Sequence, residues 1–198
     1  MKVCTDACLF GAIAAYEILQ QKSADITCLD IGTGTGLLSL MVAQKNKIAI
    51  DAVEVEDGAC MQARQNIEGS KFKENISVHH ADILQFEPQK KYDAIISNPP
   101  FFENDLVSTD THKNTARHNI TLSLKDLLVT INRLLKNDGF FMVLLPCHRL
   151  KYFEEEALQY DFYLDQKILI KPSEIHDYFR GILFFLNKRN IASPKIFV

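Results

Sequence analysis

The sequence predicts an α/β fold, a doubly wound sheet that is mostly parallel and finishes in an antiparallel edge near its C-terminal end. Three observations predict it. Short apolar runs alternate with helix-compatible stretches through most of the chain, one strand-to-helix junction is rich in glycine, and the last two strand-like runs follow one another without a helix between them.

The elements follow in order. Residues 7–19 read as a helix with Thr5 or Asp6 as its cap. The apolar run 26–31 is a strand, and the stretch 37–43 beyond its glycines is a helix. Residues 48–53 are a second strand and 55–67 a second crossover helix. Short strands are expected at 76–79 and 94–97, and a Leu-rich helix at 122–135. Gly139 is expected to support the turn into a strand at 140–145. Beyond Pro146, a helix at 150–158 precedes the strands 162–170 and 182–186.

At 198 residues, with 47% hydrophobic content, the chain can bury one sizeable core and reads as a single domain over 1–198. A formal charge of -3 excludes an indiscriminate polycation but leaves room for a local basic surface. The five cysteines are dispersed without a CxxC, so neither a zinc cluster nor a disulfide framework is supported. There is no signal-like beginning and no apolar run of membrane-spanning length. A cytoplasmic location is expected, with no membrane association and no obligate protein partner. No repeat, linker or low-complexity segment interrupts the chain.

The glycine-rich junction is Asp30-Ile31-Gly32-Thr33-Gly34-Thr35-Gly36. A strand, a glycine turn and a helix in that order make a nucleotide-shaped crevice at the carboxyl edge of a parallel sheet. The Gly-x-Gly-x-Gly spacing differs from the Gly-x-Gly-x-x-Gly of dinucleotide sites and lacks the Lys-Ser/Thr of a phosphate loop. Glycines admit a ligand where a Cβ would collide, and an acid at the strand end suits a ligand with an amino group better than a pyrophosphate. At the end of the next strand, Glu54 is positioned to accept from the two hydroxyls of a ribose, with Asp51 and Glu56 as competitors. After the third strand, Asp82 is a candidate acceptor for an adenine amine, with Ile83 packing on the ring.

The fourth station is Asn98-Pro99-Pro100-Phe101. A planar amine whose lone pair is delocalised gains little from a general base; it needs acceptors that grip its N–H groups and aim a lone pair at a methyl donor. The Asn98 side-chain oxygen and the Pro99 carbonyl offer such a pair, Pro100 restricts the turn, and Phe101 offers a stacking face. The polar stretch 102–120 contains Lys113, Arg117 and His118, candidates for contact with a phosphate backbone or a base. His79 and His80 lack partners at metal-ligand spacing, so no metal is expected.

These motifs resemble the class I (Rossmann-like) S-adenosylmethionine-dependent methyltransferases, and among them the bacterial tRNA1(Val) (adenine(37)-N6)-methyltransferases. The resemblance runs from the first residues to about Leu145. It is carried by Lys2-Val3-Cys4-Thr5-Asp6, the block 29–38, Asp51-Ala52-Val53-Glu54, His80-Ala81-Asp82-Ile83, the segment 96–101 and Ala116-Arg117-His118. It implies S-adenosyl-L-methionine as cofactor, a valine tRNA as partner, and methylation of the N6 amine of adenosine 37. It further implies cofactor contacts from Thr5, Asp30, Gly32, Gly34, Gly36, Glu54, Asp82, Ile83 and Asn98. Asn98, Pro99, Pro100 and Phe101 would act at the acceptor, and Phe101, Lys113, Arg117 and His118 on the substrate. Cys4 stands where the family has glycine and Ala7-Cys8 where it has Gly-Val, and the chain reads as shortened at both termini relative to the family. Other planar nitrogens suit the same motif: guanine N2 of ribosomal RNA, adenine N6 of DNA, or a release-factor glutamine. A non-catalytic RNA-binding relative and an oxidoreductase are the readings of other classes.

Overall fold

The computed structural model describes residues 4–21, 25–100, 122–188 and 193–198. In chain order the described elements are α1 (Thr5–Leu19), β1 (Thr27–Ile31), α2 (Leu37–Lys45), β2 (Ala49–Glu54), α3 (Asp57–Glu68) and β3 (Ile76–His80). They continue with β4 (Tyr92–Ser97), α4 (Leu124–Leu134), β5 (Leu135–Pro146), α5 (Cys147–Leu158), β6 (Tyr163–Ile170), β7 (Arg180–Leu186) and β8 (Lys195–Phe197). The strands form one sheet in the order β3-β2-β1-β4-β5-β7-β6-β8.

β3 to β5 are mutually parallel, β7 runs antiparallel to both β5 and β6, and β8 lies parallel to β6 at the edge. From β1 the chain moves outward through β2 and β3, then returns to the other side of β1 and moves outward through β5. The reversal lies between β1 and β4, where Ile31 pairs with Ser97. A crevice opens at such a switch point, beyond the carboxyl ends of the strands. The sheet is thus the doubly wound class I methyltransferase sheet with an antiparallel edge.

The helices form because their apolar residues share a face. In α1 the buried positions are Ala7, Phe10, Gly11, Ala14, Ala15 and Ile18, and in α3 Cys60, Ala63 and Ile67. Two clusters cover the two faces of the sheet. One packs α1, α2 and Ile67 against Cys28, Ile50, Ile96 and Phe184. The other packs α4 and α5 against Leu29, Val53, Ile95, Phe141 and Phe185. Aromatic pairs tie the antiparallel edge to β5 on both faces. Phe140 stacks on Phe184 at 4.9 Å and Phe141 on Phe185 at 4.8 Å between ring centroids. Burying a ring of this size contributes about 1.5–3 kcal/mol.

Several boundaries differ from the sequence reading. Thr5 is the first residue of α1, and Cys4 takes the cap position without a side-chain capping bond. Neither Thr5 nor Asp6 caps, because Asp6 sits inside the first turn, where Oδ1 accepts from Ala7 N–H at 3.0 Å and Oδ2 faces Arg180. α3 begins at Asp57, two residues later than expected, because the Glu56 carboxylate accepts from the N–H groups of Gly58 and Ala59. α5 begins at Cys147, three residues early, directly after Pro146. β5 begins at Leu135 and runs through Gly139 rather than starting after a turn there. Gly139 is required for close approach: a Cβ would lie 2.8 Å from Leu135 Cδ1 and 3.0 Å from the Asp93 carbonyl. Among the described residues, no helix is long and apolar enough to cross a membrane.

Candidate active site

The site is built where the parallel strands end. Gly32, Gly34 and Gly36 have φ of 69°, 60° and 83°, a left-handed conformation that side chains with a Cβ resist. The turn is fastened below by Gly32 N–H and Thr33 N–H, which both donate to the Val53 carbonyl at 2.9 and 3.1 Å. Gly36 presses on α3, where a Cβ would lie 3.3 Å from Ile67 Cδ1. A Cβ on Gly32 would meet no atom within 4 Å, so its missing side chain leaves open space beside the strand end.

Asp30 lies within β1, one residue before its end, and is wholly buried. Its Oδ2 accepts from the hydroxyls of Thr33 at 2.6 Å and Ser39 at 2.7 Å. Its Oδ1 is buried without a hydrogen-bond partner. Burial pushes the carboxyl up to about 6, against the lowering effect of the Thr33 and Ser39 hydroxyls. A buried acid with one unfilled oxygen, beside space kept open by Gly32, fits a ligand that carries an ammonium group.

Glu54 is the last residue of β2. Its Oε2 accepts from Gly34 N–H at 2.8 Å, and its Oε1 from Val55 and Glu56 N–H at 3.0 and 2.9 Å. The carboxylate is thereby aimed across the glycine turn, with further acceptor capacity for vicinal hydroxyls. Its two competitors are engaged elsewhere. Glu56 caps α3, while Asp51 points below the sheet edge to His79 at 2.7 Å, Lys90 at 2.8 Å and Tyr92 at 2.9 Å. Burial raises the Asp51 carboxyl, but Lys90, His79 and Tyr92 outweigh it and hold it below the usual carboxylate range.

Asp82 stands two residues past β3, half-buried, and its Oδ1 accepts from Leu84 N–H at 2.9 Å. Ile83 beside it is buried. The segment is held by a residue that sequence reasoning missed. Arg133, on α4, donates to the carbonyls of Phe86 at 2.7 Å, Ile83 at 3.0 Å and Leu84 at 3.4 Å. Nothing local marks Arg133, since its partners lie about fifty positions away in the chain.

Asn98 follows β4 directly, beside Ser97, whose hydroxyl donates to the Ile31 carbonyl at 2.9 Å and ties β4 to β1. The Asn98 Oδ1 is buried and has no hydrogen-bond partner. Pro99 is buried and Pro100 exposed. Two unfilled acceptors, Asp30 Oδ1 and Asn98 Oδ1, therefore belong to the ends of adjacent strands at the switch point. Thr5 is exposed on the first turn of α1, which meets the same sheet edge through the Asp6–Arg180 ion pair at 3.3 Å. Of the four polar stations, Asp82 and Asn98 lie beyond their strands, whereas Asp30 lies within β1 and Glu54 is the last residue of β2, whose pairing runs one residue past the apolar run 48–53. Phe101, Lys113, Arg117 and His118 lie outside the described residues. Among the described residues, no group of three or more His, Cys, Asp or Glu side chains is arranged to hold a metal ion. A shallow depression lined by Lys91, Asp93, Lys136, Asn137 and Asp138 lies at the opposite end of β4 and shares no residue with this crevice.

Comparison with known proteins agrees with this geometry. The methyltransferase small domain family matches residues 10–142. The chain is 45% identical over 186 residues to a tRNA1(Val) (adenine(37)-N6)-methyltransferase of Dyadobacter fermentans, covering 93% of this chain and 75% of that protein. It is 43% identical over 148 residues to the enzyme of the same name from Parabacteroides distasonis, covering 74% of this chain and 60% of that one. The solved structure of a ribosomal protein L11 methylase from Lactobacillus delbrueckii superposes with a TM-score of 0.69 at 16% identity, over 95% of this chain and 81% of that one. With a class I fold, an S-adenosylmethionine-type crevice and this degree of identity along most of its length, the chain belongs to the tRNA1(Val) (adenine(37)-N6)-methyltransferase family.

Proposed function

We propose that the protein transfers a methyl group from S-adenosyl-L-methionine to the N6 amine of adenosine 37 in a valine tRNA, acting as one domain over its 198 residues. The observation that carries the reading is the pair of buried, unfilled acceptors, Asp30 Oδ1 and Asn98 Oδ1, on neighbouring strand ends. The one is suited to the cofactor's ammonium, the other to the acceptor's amine.

S-Adenosylmethionine, when bound, supplies an electrophilic methyl group that needs no further activation. The chain's residues orient. Asp30 holds the ammonium, and Gly32, Gly34 and Gly36 let the backbone approach the ligand. Glu54 accepts from the ribose hydroxyls, Asp82 from the adenine amine, and Ile83 packs on the ring, while Thr5 contributes from α1. At the acceptor, Asn98 Oδ1 and the Pro99 carbonyl accept from the two N–H groups of the target amine, and Asn98 also faces the cofactor. This grip favours a lone pair directed at the methyl group, so no side chain has to remove a proton beforehand. Pro100 fixes the turn. Phe101 stacks on the base, and Lys113, Arg117 and His118 contact the substrate.

The test uses valine tRNA transcripts that differ only at position 37. Methyl transfer to a transcript with adenosine 37, and none to one with purine riboside there, supports the assignment. Equal transfer to both would remove the N6 amine as acceptor.

A further inference from the structure

We propose that the turn between β6 and β7, residues 171–179, is a stacking platform for the nucleotides that flank the target base, an inference that rests on the tRNA reading above. The topology puts the turn beside the acceptor site. β7 begins at Arg180, which pairs with Pro146 at the carboxyl end of β5, and β5 pairs with β4, the strand that Asn98 follows. Two strand spacings of about 4.8 Å separate β4 from β7. Arg180 lies three residues, about 10 Å, beyond Leu183, which Val143 links to Ser97, so the turn begins about 14 Å from the end of β4. That is the length of about four stacked nucleotides at a 3.4 Å rise.

Among polar neighbours the turn exposes three large apolar or aromatic side chains, and it is not loose. Ile175 is 90% exposed, Tyr178 38% and Phe179 39%. The turn is braced by His176 N–H to the Ser173 carbonyl at 3.1 Å, Phe179 N–H to the Ile170 carbonyl at 3.0 Å, and Cys147 N–H to the Phe179 carbonyl at 3.1 Å. Its base is packed tightly, since a Cβ on Gly181 would lie 2.6 Å from Leu150 Cδ1. Cations lie over its rings: Lys171 Nζ is 5.5 Å from the Tyr178 centroid and the Arg180 guanidinium 5.3 Å from that of Phe179. Rigid exposed rings flanked by cations are how proteins receive unstacked bases of a looped strand. Within 171–179 Lys171 stands against Glu174 and Asp177, and Arg180 at its end is paired with Asp6, so the turn brings no excess of positive charge. Its contribution is therefore stacking rather than counterion release.

The test measures binding of an unmodified valine tRNA transcript to the full chain, to the Y178A/F179A double variant and to the conservative Y178F/F179Y variant, across a range of salt. Expected is a loss of affinity of about tenfold or more in the double variant. The slope of log affinity against log salt stays unchanged, S-adenosylhomocysteine affinity stays unchanged, and affinity is largely retained in Y178F/F179Y. Transcript affinity in the double variant within twofold of wild type overturns the inference while leaving the methyltransferase reading intact. An effect traced to dissociation of a dimer overturns it too, in favour of a second copy as occupant. Wild-type protein that neither binds nor methylates the transcript overturns the reading on which both rest. If the double variant fails to fold, ultraviolet crosslinking of the wild-type chain to the transcript decides instead: crosslinks within 171–180 support the platform, and crosslinks confined to other segments overturn it.

Discussion

Asp30→Asn separates the functional from the structural value of a buried charge. The Asp30 carboxyl titrates at about 6 in the free protein, raised by burial from an ordinary value of 3.8. Roughly one-tenth of molecules carry the charge at pH 5 and roughly nine-tenths at pH 7. An ammonium stays protonated over that window, so it selects the ionised form. Cofactor affinity should therefore rise about tenfold from pH 5 to pH 7 and level off above it. The sign for folding is the reverse. A carboxyl raised in the folded state loses stability as pH climbs from the unfolded value to the folded one, by about 3 kcal/mol for this shift. Asp30→Asn keeps an acceptor for the Thr33 and Ser39 hydroxyls and removes the charge. Above pH 6 the variant should be at least as stable as wild type while binding S-adenosylhomocysteine far more weakly and without pH dependence between 5 and 7. Calorimetric titration and thermal melts at each pH check both halves. A flat wild-type binding profile, or a variant with the wild-type slope, refutes the assignment of the ammonium to Asp30.

Further outcomes follow from the same geometry. Asn98→Ala should lower kcat by about 30- to 1,000-fold, equivalent to about 2–4 kcal/mol, with a much smaller change in cofactor affinity, read by single-turnover kinetics. Arg133→Met should release the segment 83–86. The preference for S-adenosylhomocysteine over S-inosylhomocysteine, which lacks the adenine amine, should then shrink, with Arg133→Lys intermediate. Gly36→Ala, at φ 83° and 3.3 Å from Ile67, should cost about 1–2 kcal/mol and lower Tm by a few degrees. Asp51 and Asp93 are both held below the usual carboxylate range despite burial, Asp51 by Lys90, His79 and Tyr92 and Asp93 by Lys136 and Thr27. Their contribution is present above the unfolded carboxylate value of about 3.9 and is lost as pH falls through their folded values. Asp51→Asn and Asp93→Asn should thus destabilise at pH 7, with the gap from wild type closing in acid.

The candidate site was legible where its signals are local. Asp30, the three glycines and Glu54 sit at junctions that an apolar run and a glycine turn mark directly, and the doubly wound class of the sheet follows from the alternation of strands and helices. What stayed hidden depends on distant partners. Arg133 is unremarkable on its helix until its guanidinium meets the carbonyls of 83–86. Asp51 competes with Glu54 on sequence, and only His79, Lys90 and Tyr92, twenty-eight to forty-one positions on, account for it as a structural acid. β8 is a three-residue edge strand that exists through its pairing with β6. Gly139 was legible as a glycine with a purpose, but the purpose is contact with Leu135 and Asp93, which no turn signal encodes. The exposed rings of Tyr178 and Phe179 read as ordinary hydrophobic content until the topology sets them at the same sheet edge as Asn98, two strands away.

The measurement that bears most directly on the account is methyl transfer from labelled S-adenosylmethionine to unmodified total tRNA, followed by nuclease digestion and mass spectrometry of the labelled fragments. N6-methyladenosine is expected at position 37 of a valine tRNA, and its loss is expected in the Asn98→Ala enzyme. Label on another nucleoside or another position, or undiminished label with Asn98→Ala, would contradict it.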